Sequence, residues 1–290
     1  MELYQQLASL CFFALMMGIL SLWLGRNPWI YGSFFILSFF LGLFANVVTP
    51  LALLPLGALF VMHGFLKAGV KGLLRALLVL LATVLSITLW MHLLPGFHNL
   101  KISDSFVQSP GAYPYSFYLN WDKPFTGIFI LAWAFPLLKT KEEFKRIAFV
   151  TLPYTVCAIL IILLFAIWGN VVKWDPKMPA YFWLWAIANL FLVVVPEEAV
   201  MRGFVQKEFF DWFGSKGIWA NVGSVTATSL LFALLHITFV PSATFILLVF
   251  VAGLLYGAIY QYTKAIESAI FCHFALNIVH MLFFTYPALK

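Results

Sequence analysis

Charge is what this chain has least of. Asp, Glu, Lys and Arg together make up 10% of its 290 residues, while 63% are hydrophobic. A soluble domain of this length cannot cover its surface with so few polar groups, so the composition excludes one. Mean hydropathy is +0.98, the value of a chain that crosses a membrane many times. Cysteine is scarce as well. Cys11, Cys157 and Cys272 stand far apart in apolar runs, which excludes a disulfide framework or a zinc ribbon and leaves three small buried hydrophobes. The net charge of +6 is scattered between apolar runs, with no basic face that would bind nucleic acid. The first residues contain Glu2 and no basic region, so the run from Leu7 to Leu24 reads as a first membrane helix rather than a cleaved signal.

What is present is apolar length. About 20 residues cross a bilayer, and runs near 7–25, 30–46, 49–66, 73–95, 125–138, 147–169, 180–196, 218–236, 243–262 and 266–286 predict an all-α polytopic transmembrane bundle of about 8–10 spans. The second, third and fifth runs are short enough to be re-entrant, and Asn46, Pro50 and Pro55 break the second from the third. Basic residues set the orientation. Arg26, Lys67, Lys71, Arg75, Lys139, Lys141, Lys145, Arg146, Arg202, Lys207, Lys216 and Lys264 fall on one side, and Lys101, Lys123, Lys173, Lys177 and Lys290 on the other. The richer side is the cytoplasmic one, so residues 197–217 face the cytoplasm, and a bacterial plasma membrane is the expected location. Residues 1–179 form an N-terminal membrane region of unassigned role. They include the longest loop, 96–124, whose Tyr113, Tyr115 and Trp121 suit either an interfacial belt or a cap over substrate. Residues 203–213 predict a short interfacial amphipathic helix. Residues 180–290 hold three polar clusters that need explaining.

The first is Val195-Pro196-Glu197-Glu198-Ala199-Val200-Met201-Arg202. At helical spacing Glu198 and Arg202 share a face and suit an ion pair. Glu197 points about 100° away, uncommitted to that pair, and can titrate as a general base. A plain salt bridge capping a span is the alternative. In the second cluster, Phe232 and His236 lie four apart, so the phenyl ring can restrain the imidazole; a purely structural histidine is the alternative. In the third, His273 and Asn277 lie four apart and offer donors to a developing oxyanion, with His280 three residues on as a supporting partner. An interhelical hydrogen bond is the alternative. Together the clusters supply a base, a water-orienting group and oxyanion donors, which suffices for water attack on an amide. No serine sits in a Gly-x-Ser-x-Gly elbow, no span carries a Gly-x-Gly-Asp site, and Cys272 points away from His273 on a helix.

Glu-Glu-x-x-x-Arg at 197–202, Phe-x-x-x-His at 232–236 and His-x-x-x-Asn at 273–277 resemble, in order and spacing, the three motifs of the CPBP (CAAX-processing and bacteriocin-processing, Abi) family of intramembrane endopeptidases. Ala252-Gly253-Leu254-Leu255-Tyr256-Gly257 is similar to the family's glycine-containing helix. The resemblance covers about residues 180–285. It implies a glutamic endopeptidase without a cofactor, in which Glu197 activates water, His236 holds it, His273 and Asn277 stabilise the oxyanion, and Glu198, Arg202 and Phe232 shape the site. It further implies a lipidated or membrane-embedded protein substrate, of CAAX type or matured by C-terminal or peptide processing, reached from the cytoplasmic half of the bilayer lipid. Two readings compete. A zinc protease would take Glu197 or Glu198 with His236 and His273 as ligands, although no His-Glu-x-x-His helix is present. A membrane scaffold or bacteriocin-immunity protein would use the same fold without catalysis. Neither the substrate's identity nor an oligomeric state is written in the sequence.

Overall fold

Long apolar runs become helices because an unpaired backbone amide costs several kcal/mol in lipid and a helix pairs its amides internally. The computed structural model describes residues 2–25, 27–134, 136–214 and 216–290; Arg26, counted above among the inner cations, lies outside the described residues. The helices are α1 (Glu2–Leu24), α2 (Pro28–Phe44), α3 (Leu53–Lys67), α4 (Gly72–Trp90), α5 (Lys123–Trp133), α6 (Lys141–Trp168), α7 (Phe182–Trp212), α8 (Gly217–Leu234), α9 (Ala243–Thr263) and α10 (Ile266–Phe283). A small two-stranded sheet, β1 (Leu100–Phe106) with β2 (Tyr115–Leu119), is the one departure from an all-α bundle among the described residues.

Eight segments among the described residues are long and apolar enough to span: α1, α3 with the 3-10 turn Pro50–Ala52 before it, α4, and α6 through α10. The chain is an integral, multi-pass membrane protein. Two expected spans fall short. Helix α2 has 17 residues. Helix α5 has 11 and so covers about 17 Å of a ~30 Å hydrocarbon core. Asn46 turns the chain between α2 and α3 with φ 52°, and Pro50 starts the 3-10 turn, as its missing N–H allows.

Helix α7 departs most from expectation. The span predicted to end at residue 196 runs on to Trp212. Proline inside a helix removes an amide and crowds the carbonyl four residues back. Here the turn before Pro196 is π-helical, Asn189–Val194, and a second π segment, Ala199–Gln206, follows the acidic pair. The wider π turn makes room for the ring without ending the helix. Residues 203–213 are therefore the end of this helix and not a separate interfacial one. Phe204, Gln206 and Glu208 are buried, and the exposed groups are confined to Lys207, Asp211, Trp212 and Phe213.

Two compact units divide the chain. The first comprises Met1–Ile102, Tyr118–Lys139 and Phe191–Gly203; the second comprises Ser103–Phe117, Thr140–Leu190 and Phe204–Lys290. In the first unit α1 packs on α2, and α3, α4 and the middle of α7 pack on α5. Trp121 is fully buried there and donates its indole N–H to Ser38 Oγ at 2.9 Å. In the second unit α6, α8, α9 and α10 pack together. Thr151 on α6 donates to Ser268 on α10 at 3.0 Å, and Tyr154 to the Leu255 carbonyl on α9 at 2.8 Å. The 96–124 loop is thus no interfacial belt at its aromatic centre: Trp121 and Phe117 are core residues, and Tyr115 lies edge-on to Tyr286. Of the three cysteines, Cys11 and Cys272 are buried as expected, while Cys157 is exposed on α6.

Candidate active site

The first motif belongs to the first unit and sits mid-way along α7. Arg202 Nε donates to Glu198 Oε2 at 3.0 Å, with both side chains fully buried. This is the i, i+4 pair expected from the sequence, and it makes Arg202 an internal counter-ion rather than a cation that sets topology. Glu197 is 5% exposed and is not the uncommitted carboxylate the spacing suggested. Its Oε1 accepts from Lys123 Nζ at 2.5 Å. The two acidic neighbours therefore answer to different cations, one four residues along the same helix and the other at the start of α5.

That contact corrects the relative placement of two residues. Lys123 was expected on the outer side and Glu197 at the cytoplasmic end of its span; an ion pair puts both at one depth. The error came from ending α7 too early, which moved Glu197 from mid-helix to a membrane edge. Close packing brings Lys123 in. A Cβ on Gly127 of α5 would lie 2.8 Å from Pro196 Cα and 3.0 Å from Ala199 Cβ, so α5 reaches this depth against α7 only because residue 127 has no side chain.

The second and third motifs belong to the second unit and meet there. His236 follows the end of α8, and its Nδ1 donates to the Phe232 carbonyl at 2.8 Å. A carbonyl only accepts, so Nδ1 carries the hydrogen and a neutral ring holds its lone pair on Nε2. The Phe232 ring packs on His236 with centroids 4.6 Å apart and stands edge-on to His273 at 5.9 Å. One phenyl ring thus touches both imidazoles. Tyr256 of α9 stacks on His273 at 4.7 Å and 15°. His273 is 5% exposed. Helices α8 and α9 meet closely here, since a Cβ on Gly253 would lie 3.0 Å from Ser229 Cβ.

Asn277 Nδ2 donates to Asn189 Oδ1 at 3.1 Å. That bond fixes which way the amide faces and uses one of its two N–H groups. His280, expected to support Asn277, instead donates through Nε2 to the Thr285 carbonyl at 3.0 Å and lies against Tyr286. It helps hold the C-terminal tail, which is also tied down by Thr285 N to Lys173 O and Leu289 N to Val171 O. Beside that tail, outside the spans, burial alone would raise the Asp175 carboxyl. A hydrogen bond from Ser109 and the hydrogen bond and charge of Lys177 outweigh it and hold the group below its ordinary value.

Sequence reasoning missed Lys123, Asn189 and Tyr256. Lys123 read as a loop cation and Asn189 as one polar residue in an apolar run. Tyr256 lay inside the quoted glycine-containing segment, and the Gly-flanked position was the available signal. Within neither unit do three His, Cys, Asp or Glu side chains among the described residues gather as ligands for a metal ion.

Residues 179–279 match the family model described as Rce1-like, type II CAAX prenyl endopeptidase. No curated protein and no solved structure matches the chain. The matched segment contains all three motifs together with Asn189 and Tyr256, and excludes Lys123. It supports a CAAX-type intramembrane protease. Over residues 179–279 the chain is thus similar to the Rce1-like type II CAAX prenyl endopeptidases.

Proposed function

We propose that the chain is a glutamic intramembrane endopeptidase that hydrolyses a peptide bond in a lipidated or membrane-embedded protein. Glu197 takes a proton from water, and the water oxygen attacks the scissile carbonyl carbon. In the roles that the family resemblance implies, the tetrahedral oxyanion receives hydrogen bonds from His273 and from the remaining N–H of Asn277. The protonated Glu197 then gives its proton to the departing nitrogen as the C–N bond breaks, leaving a carboxylate and an amine. His236, with Nδ1–H committed to Phe232 O, keeps a lone pair on Nε2 that can accept a hydrogen bond from water, the role the family resemblance implies. The Glu198–Arg202 pair shapes the helix next to the base. Direct activation by a carboxylate asks for no metal ion.

The observation that carries this reading is the separation of the two glutamates. Glu198 is closed into a fully buried pair with Arg202, while Glu197 keeps a partner of its own on another helix. A motif that served only to cap a span would not need two buried carboxylates with two separate cations. The family likeness of residues 179–279 supports the substrate class: a peptide that arrives laterally in the membrane, with a prenylated CAAX-type protein foremost and other membrane-anchored precursors next.

The test compares membrane peptides from cells carrying the wild type and the Glu197→Gln variant at equal abundance. Precursors accumulate and their cleaved forms vanish in the variant. If cleaved forms persist at wild-type levels, Glu197 is not the base, and a non-catalytic scaffold or immunity role replaces the peptidase.

A further inference from the structure

A partner of Glu197, Lys123, comes from outside the matched segment, 74 residues away in the chain. We infer that Lys123 is a positioning residue for the base, supplied by the N-terminal region, and that it orients the Glu197 carboxylate for water activation. This rests on the peptidase reading above.

An ionised carboxylate at bilayer depth costs roughly 2.5–3.5 kcal/mol on insertion scales unless it is partnered. Arg202 is engaged with Glu198, and Lys123 pairs with Glu197. The lysine is itself held from several directions, all within the first unit. Its side chain is 12% exposed, and its ammonium lies over the Trp90 ring, 5.3 Å from the centroid. The Trp90 indole N–H is anchored by Thr126 Oγ1 at 2.9 Å, and that hydroxyl donates to the Lys123 carbonyl at 2.8 Å. The first turn of α5 is fixed as firmly. Asp122 is 1% exposed and caps the helix by accepting from Lys123 N at 2.9 Å. The same carboxylate meets His92 Nδ1 at 2.7 Å and accepts from Asn99 Nδ2 at 3.1 Å.

A fixed backbone at Lys123 together with a ring under its ammonium goes beyond what neutralising a charge requires. A flexible lysine would neutralise Glu197 from many geometries. A caged one selects a single orientation of the carboxylate, which is the condition for a water to be held and deprotonated in line with its target. The N-terminal region, for which the sequence offers no role, therefore supplies the base with a positioned cation.

The experiment uses the full-length protein in detergent micelles. Its substrate is a synthetic peptide spanning the cleavage site of the precursor that accumulates in Glu197→Gln cells. Turnover is scored per folded molecule for Lys123→Met, Lys123→Gln and Lys123→Arg. Misplacing a catalytic group by about 1 Å costs on the order of 100-fold, so Lys123→Met and Lys123→Gln lower kcat by about 10–100-fold, with KM within about twofold of wild type. Lys123→Arg restores most of kcat. A wild-type kcat in Lys123→Gln overturns the inference, as does a raised KM at unchanged kcat or a failure of arginine to restore turnover. If Lys123→Met does not fold, the Gln and Arg variants decide alone. Full activity of Glu197→Gln would instead overturn the functional reading itself, so the two failures are distinguishable.

Discussion

Removing Arg202 from its buried pair gives the sharpest test of the site's electrostatics. The guanidinium and the Glu198 carboxylate are both 0% exposed and 3.0 Å apart. Arg202→Met leaves a buried carboxylate without its cation, a loss of about 3–5 kcal/mol. Replacing both partners, in Glu198→Gln with Arg202→Met, removes both charges, and a neutral pair of similar volume is often nearly as stable as the ion pair. For a chain of this size about 2–4 °C of melting temperature corresponds to each kcal/mol. The single variant should then melt about 6–20 °C lower, and the double variant should recover to within roughly 4 °C of wild type. A thiol-reactive fluorophore reads this directly. Cys11 and Cys272 are fully buried and react only on unfolding, while Cys157 is exposed and supplies a constant baseline. If Arg202→Met melts within about 2 °C of wild type, or the double variant melts no higher than the single one, the pair does not hold the first motif together as argued.

Four further outcomes follow from the same geometry. Gly127→Ala places a Cβ 2.8 Å from Pro196 Cα, so α5 must retreat; we expect a loss of about 1–3 kcal/mol in stability and a lower kcat measured on the folded fraction. Asn277→Ala removes an oxyanion donor and lowers kcat by about 10²–10³-fold, while loss of the bond to Asn189 costs only about 1 kcal/mol in melting. Hydrolysis should survive chelators at concentrations that strip zinc proteases, and activity that is lost to a chelator and restored by zinc would favour the metal reading. Asp175 has a carboxyl held below its ordinary value of 3.8, so its contribution to stability is present above that value and is lost as pH falls through the lowered one. The melting difference between wild type and Asp175→Asn should accordingly be constant near neutral pH and vanish only in strong acid.

Spacing along one helix was readable where both partners lie within a turn of each other. Glu198 with Arg202 and Phe232 with His236 are such pairs, and both contacts exist. The same spacing argument overreached for His280, which turns instead to the Thr285 carbonyl and the Tyr286 ring of the C-terminal tail. It also failed for Glu197. Nothing in the residues around Glu197 announces a lysine 74 positions earlier, and Lys123 sits in what reads as a loop. Hydropathy located the helices well but not the end of α7, because Pro196 and the charged residues after it look like a membrane edge. Two π-helical segments carry the helix past them.

By itself, then, the sequence determined the class of the molecule, its membrane-spanning helices and the three motifs whose local spacing the family segment shares. Those properties depend on composition and on contacts within a helical turn, which a linear chain carries openly. Tertiary structure alone decided that Glu197 has Lys123 for a partner, that Asn189 orients Asn277, and that Tyr256 stacks on His273. Each of these joins residues on different helices. Such contacts depend on how closely two helices approach, and at Gly127 and Gly253 that approach is set by side chains that are not there.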